Sequence, residues 1–295
     1  MRSLSRRRWL QAAAATGIAP AAALWAAAPQ RIVCIGGALT ETVYALGAQG
    51  LLVGVDTTSL YPAAARALPS VGYARALSAE GVLSLAPTLI VASDEAGPPA
   101  VLRQLEAAKV PLKRLPLDHR FEGLVARTSE LAALLDRAEA GKALSTQLQR
   151  EWQATTAQVA TLAAKARPPR VLFVLSHSMS QIRVAGADTA ADSMIRLAGG
   201  ANALTGFDGY KPLNAEAAIA AAPDFILATD QGLEAAGGAA GLLKAPGLAM
   251  TPAGRAQRVV SLEALWLLGF GPRLPSAVAA LAQGLHTGVS VAKAA

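Results

Sequence analysis

Ala79–Gly97 reads AEGVLSLAPTLIVASDEAG, and Ala215–Gly232 reads AEAAIAAAPDFILATDQG. Both begin Ala-Glu, continue through a short apolar helical stretch to Ala-Pro, and enter a Leu/Ile/Val strand that ends in a small residue and Asp. Glu80 precedes Pro87 by the same seven positions as Glu216 precedes Pro223. Helix-Pro-strand is a common α/β phrase, so two further echoes matter. Thr42–Gly47 resembles Ser193–Gly199, and the turns Gly72-Tyr73 and Gly209-Tyr210 precede the two copies. A unit written twice, more than a hundred residues apart, points to two similar lobes. A solenoid would repeat every ~20–50 residues.

Outward from these copies the chain alternates short apolar strands with helical stretches. Arg31 to Gly36 and Leu52 to Val55 read as strands, and Thr40 to Leu46 as a helix opened by Thr40 and closed by Gly47. Pro98 to Lys109 reads as helix and Val110 to Leu115 as an extended piece. Between Phe121 and Lys165 there is no proline, and Leu131, Leu134, Leu135, Leu144, Leu148 and Trp152 recur at helical spacing. That predicts one long helix or two consecutive ones; a helix of ~25 residues extends ~40 Å, enough to cross between lobes. Val171 to Leu175 repeats the strand character of Ile32 to Ile35, and Pro272 to Thr287 predicts a last amphipathic helix. The expected fold is therefore α/β, two Rossmann-like lobes bridged by a long helix: 31–120, a linking segment 121–167, and 168–295. Ligands of such an arrangement sit in the crevice between the lobes.

Residues 1–30 stand apart. Ser5-Arg6-Arg7-Arg8-Trp9-Leu10-Gln11 leads into the Ala-rich, uncharged stretch Ala12 to Ala28. A basic start, an apolar run and small residues describe an export signal, and the adjacent arginines resemble the twin-arginine type. Gln11 and the scarcity of Leu favour a cleaved signal over an anchor. Without this segment the balance is 23 basic against 20 acidic residues, so the net charge falls from +7 to +3 and a nucleic-acid partner loses its support. The remaining chain, with 53% hydrophobic residues overall, has material for a large core. Cys34, the single cysteine, excludes an intramolecular disulfide and a cysteine zinc cluster; inside Ile32–Ile35 it reads as a buried strand thiol.

Hydrolase, metalloprotease, nucleotide and dinucleotide signatures are absent, and His119, His177 and His286 are scattered, which argues against an enzyme. Asp56-Thr57-Thr58-Ser59-Leu60-Tyr61-Pro62, directly after the strand Leu52 to Val55, is the informative loop. It lies where α/β ligands bind. Pro62 biases Tyr61 toward an extended conformation, and a tyrosinate is an axial ligand for haem iron. Spacing alone leaves a rim tyrosine packed on the protein as the simpler reading.

Several stretches together carry a family resemblance: Ile35–Glu41, Gly54–Pro62, Val184–Gly186 with Thr189–Asp192, Gly209–Leu213, and Leu267–Arg273. In this order they are similar to the periplasmic haem-binding proteins that feed bacterial ABC haem importers, within the wider cluster that binds cobalamin and ferric siderophores. The resemblance implies a monomeric, exported carrier of haem b with no catalytic role. The haem would be held in the inter-lobe cleft, with Tyr61 as iron ligand, and delivered to an inner-membrane permease and its ATPase. It also implies that Glu80 and Glu216, one per lobe, meet arginines of the permease. As residues, both also suit helix N-termini behind Ser78 and Asn214 as caps. Related sequences often carry an arginine where this chain has Gln231, and that arginine supports the phenolate; a neutral Gln offers only a hydrogen bond. Arg75, Arg183, Lys211 and His177 are the candidates to replace it, and Thr58, Ser59, Tyr210 and Gln231 complete the expected pocket. The three basic side chains suit haem propionates, and His177 suits a second iron ligand. The rivals are a cobalamin or ferric-siderophore carrier of the same cluster, an exported tetrapyrrole-modifying enzyme, and a signal-anchored scaffold.

Overall fold

The computed structural model describes residues 30–176 and 182–288. In the first lobe, β1 (Ile32–Ile35), α1 (Gly37–Ala45), β2 (Leu52–Val55), α2 (Ala79–Leu83), β3 (Leu89–Ser93), α3 (Pro99–Ala107) and β4 (Leu112–Leu115) follow in turn. The strands form a parallel sheet in the order β2-β1-β3-β4. β1 and β3 are buried throughout, which explains their unbroken apolar runs, because a central parallel strand has no wet face. Cys34 lies fully buried in β1, and burial pushes its thiol up to about 12, which keeps it protonated.

The linking segment forms two helices, α4 (Phe121–Leu134) and α5 (Ala138–Ala163), joined at residues 135–137 with Asp136 at φ +54°. Both span the two cores. Phe121 and Leu124 of α4 pack with Phe173, Met194 and Leu281 in the second lobe, whereas Leu131, Ala132 and Leu135 pack with Ile32, Leu39 and Val43 in the first. Ala140 of α5 lies on the first core, and Leu148 and Val159 lie in the second. At 26 residues α5 is about 39 Å long. A Cβ at Gly141 would stand 2.4 Å from the Cβ of Ala132, so glycine is what lets α4 and α5 pass this closely.

The second lobe contains β5 (Arg170–Ser176), β6 (Ile182–Ala185), α6 (Ala190–Leu197), β7 (Ala201–Asn202), β8 (Tyr210–Pro212), α7 (Ala215–Ala221), β9 (Phe225–Thr229), α8 (Asp230–Ala235), α9 (Gly238–Leu242), α10 (Pro252–Arg255), β10 (Val259–Leu262), α11 (Ala264–Leu268) and α12 (Leu274–Thr287). Its sheet runs β10-β9-β5-β6-β8, with β7 also pairing β5 in parallel, and β6 and β8 are antiparallel.

The duplicated phrase occupies equivalent places. β3 lies between β1 and β4, and β9 lies between β5 and β10. Ser78 caps α2 by accepting from the Gly81 N–H, and Asn214 caps α7 by accepting from Glu216 and Ala217. Even the backbone repeats: Ala86 and Ala222, each just before the proline, take φ +44° and +43°. A left-handed residue ends a helix, and the following proline disfavours continuing it, so both copies solve the turn in the same way.

One predicted boundary is corrected. α1 begins at Gly37, not Thr40; Gly36, at φ +126°, turns the chain into it, and Thr40 is fully buried inside the helix. The Thr40 hydroxyl meets that of Ser59 at 2.8 Å, so a tertiary partner takes the group that a local rule assigns to capping. Among the described residues no helix is long and apolar enough to cross a membrane.

Candidate functional site

The loop after β2 is organised by a carboxylate. Asp56, 2% exposed, accepts from the Gly36 N–H (2.8 Å) and Ser59 hydroxyl (3.0 Å) on Oδ1, and from the Thr58 N–H (3.0 Å) and hydroxyl (2.6 Å) on Oδ2. The Gly37 N–H in turn donates to Thr58 Oγ1 at 2.9 Å. A Cβ at Gly37 would lie 2.2 Å from the Thr58 carbonyl oxygen, so the loop closes on the start of α1 only because that residue is glycine. The hydroxyls of Thr58 and Ser59 are thus committed to holding the loop. Arg66 braces it from outside by donating to the Leu60 carbonyl at 2.8 Å.

Tyr61, half-buried, leaves this scaffold at the junction of the lobes. The guanidinium of Arg273 lies 3.7 Å from its ring centroid, a cation–π stack of about 0.5–2 kcal/mol. Arg273 opens α12 in the second lobe and reaches the first: its main-chain N–H and Nη2 donate to the two carboxylate oxygens of Glu41 at 3.0 and 3.1 Å. Glu263 Oε2 is 3.7 Å away. Glu41 is 4% exposed; burial pushes its carboxyl up, while the bonds and charge of Arg273 oppose that shift. The phenol oxygen of Tyr61 has no hydrogen-bond partner among the described residues. Tyr73 bonds Arg75, and Tyr210 engages Thr189.

Gln231 joins this chain at its far end. Its Oε1 accepts from the Ala264 N–H at 3.0 Å and its Nε2 donates to Glu263 at 3.4 Å, while Glu263 caps α11 through Leu265 and Trp266. Arg273, not Arg75, Arg183 or Lys211, is therefore the cation on Tyr61. In the sequence Arg273 stands only within a resembling stretch, and no local pattern marks Asp56, Glu41 or Glu263 for a role.

The other expected rim groups lie elsewhere on the crevice. Arg75 bonds Tyr73 and Glu95, and the charges of Arg75 and Glu95 act across the gap on Tyr210, whose phenol is pushed up mainly by burial. Arg183 donates to the Tyr210 carbonyl, and Lys211 sits 4.7 Å from the Phe207 ring centroid. Both are exposed. His177 lies outside the described residues. Behind the site, Arg127, 2% exposed, donates to the carbonyls of Pro116 (3.0 Å) and Phe270 (2.6 Å), fixing the turn that delivers Arg273. Glu80 and Glu216 are exposed near the starts of α2 and α7, without side-chain partners among the described residues. No group of three His, Cys, Asp or Glu side chains among the described residues makes a metal cluster.

A family described as periplasmic binding protein matches residues 32–264. The chain belongs to that family. Its members bind and hand on substrates rather than transform them, and the match is to the periplasm as a compartment. Among solved structures, the periplasmic heme-binding protein BhuT, in complex with two hemes, is 53% identical with a TM-score of 0.83, the alignment covering 88% of this chain and 98% of that one. RhuT from Roseiflexus sp. RS-1, also a periplasmic heme-binding protein, is 42% identical with a TM-score of 0.83 over the same shares. A periplasmic heme-binding protein from Pseudomonas aeruginosa is 40% identical with a TM-score of 0.82, over 89% and 94%. The vitamin B12-binding protein of Pectobacterium carotovorum subsp. carotovorum (strain PC1) is 30% identical over 125 residues, 42% of this chain and only 45% of that protein. The chain thus spans less than half the length of the curated relatives it matches. Two lobes, expected from the repeat, on a helical bridge, expected from the proline-free stretch between Phe121 and Lys165, are the architecture found.

Proposed function

We propose that the protein captures ferric haem between its lobes, with the Tyr61 oxygen as iron ligand, and delivers it to an ABC permease and its ATPase in the inner membrane. The observation that carries this reading is a tyrosine fixed in place by a rigid loop and a stacked cation while its oxygen bonds to no described protein group. A phenol held at a crevice in that way is disposed toward a ligand, and phenolate is a proven haem donor. Support for the haem class comes from relatives that bind heme and align over nearly their whole lengths. Thr58 and Ser59 serve by positioning Tyr61, and Gln231 acts through Glu263. Arg75, Arg183, Lys211 and Tyr210 supply the polar rim suited to propionates, and a six-coordinate, low-spin spectrum in place of the high-spin one would bring in His177 as a second iron ligand. The carrier works as a monomer, and Arg6-Arg7 directs it through the twin-arginine route.

Titration of the purified protein with ferric haem and, separately, with cyanocobalamin tests the reading. A saturable haem spectrum of high-spin, tyrosinate-ligated type with no response to the corrinoid is expected. Binding of the corrinoid alone defeats the haem assignment and favours the class of the vitamin B12-binding relative.

Glu80 and Glu216 occupy the same place in the two copies of the repeat, so their carboxylates present a paired pattern to a two-fold partner. Reversing both charges, Glu80→Arg with Glu216→Arg, is expected to abolish haem uptake by reconstituted transporter while leaving haem binding within about twofold. Uptake at the wild-type rate would remove these glutamates from the docking surface.

A further inference from the structure

We infer that Arg273 is a positioning residue for Tyr61, holding the ring from the second lobe so that the aim of the phenol oxygen depends on the register of the two lobes. The inference rests on the haem reading for its consequence, though not for its geometry. Three observations bring it together. The guanidinium is 3.7 Å from the Tyr61 ring centroid, closer than the 4.7 Å of Lys211 to Phe207 or the 5.6 Å of Arg258 to Phe225. The cation is itself clamped, by the buried carboxylate of Glu41 from one lobe and by Glu263 from the other. Its Nε is buried without a hydrogen-bond partner among the described residues, so the group lies where the ring and Glu41 place it, not where all its donors are met.

The connection is mechanical as well as electrostatic. Arg273 starts α12, whose Leu274, Ala277, Val278 and Leu281 sit in the second core, while Glu41 belongs to α1 on the first. The preceding Phe270 is held by Arg127, whose helix crosses both cores. A shift of one lobe against the other therefore moves the guanidinium across the Tyr61 ring. A planar cation lying over a ring restricts its tilt, which an ammonium point charge does less well.

The test uses the full mature chain with Arg273→Gln combined with Glu41→Gln, which avoids an unpaired buried carboxylate, and Arg273→Lys as a second variant. Haem dissociation from the double variant is expected to be about tenfold faster, with the phenolate-to-iron charge-transfer band shifted or broadened, and Arg273→Lys is expected to restore part of both. Independently of haem, fluorotyrosine labelling gives resonances for the four tyrosines, with Tyr61 assigned through Tyr61→Phe. The Tyr61 signal of the ligand-free double variant is expected to move or broaden while Tyr44, Tyr73 and Tyr210 report an intact fold. An unchanged Tyr61 resonance overturns the inference whatever the cargo proves to be. A changed resonance without any haem spectrum in the wild type leaves the positioning role standing and removes the haem reading.

Discussion

Tyr61→Phe is expected to weaken ferric haem binding by about a hundredfold or more, ~2.7 kcal/mol, and to erase the phenolate charge-transfer band. Phenylalanine keeps the ring that Arg273 stacks on and leaves the loop bonded as before, because the bonds that hold it, from Asp56, Thr58, Ser59 and Arg66, do not use the Tyr61 oxygen. Removal of one oxygen is thus separated from disturbance of the site. The melting temperature is expected to stay within a few degrees of wild type, as an oxygen without a hydrogen-bond partner among the described residues contributes little to stability. Tyr61→Ala should add the loss of the stack and give weaker binding still. Equilibrium haem titration followed by absorbance measures both variants. Wild-type affinity and an unaltered spectrum in Tyr61→Phe would mean that iron is held by another residue.

The fold was legible because it depends on patterns that are local and repeated. Buried parallel strands write themselves as apolar runs, and Ala-Pro after a short helix dictates the same left-handed turn twice, at Ala86 and Ala222. The start of α1 is not legible locally because Thr40 looks like a cap, yet its hydroxyl goes to Ser59, a residue of another segment. The same limit hid the chain of groups behind Tyr61. Glu41 and Arg273 are 232 residues apart, and each has an ordinary local role, one as a helical glutamate and one as a helix start. No short-range spacing marks them as partners. Thr58 and Ser59 show the same limit from the other side: small hydroxyls in a loop after a strand look like ligand donors, and here they bond to Asp56 and Thr40. The direction of their side chains is set by the buried Asp56, whose part was not evident from the sequence.

That carboxylate is where stability and function meet, and Asp56→Ala is expected to damage both. Its two oxygens satisfy four donors, and the carboxylate itself is buried. A buried donor left unmet costs about 1–3 kcal/mol, and the two hydroxyls are able to turn while the two N–H groups are not, so a loss of ~3–5 kcal/mol is expected. At ~2–4 °C per kcal/mol for a chain of this size, the melting temperature should fall by roughly 10 °C. Asp56→Asn retains the shape with one acceptor oxygen instead of two, and turns an amide donor toward groups that also donate, so it should fall between wild type and alanine. The order of haem affinities should follow the order of stabilities, because the loop that Asp56 ties to Gly36 is the one that carries Tyr61. In Tyr61→Phe, by contrast, binding falls while stability holds. Thermal melts and haem titrations on the three variants separate the two behaviours. An Asp56→Ala protein that melts like wild type, or that binds haem as tightly, would show that the loop is held by something other than this carboxylate.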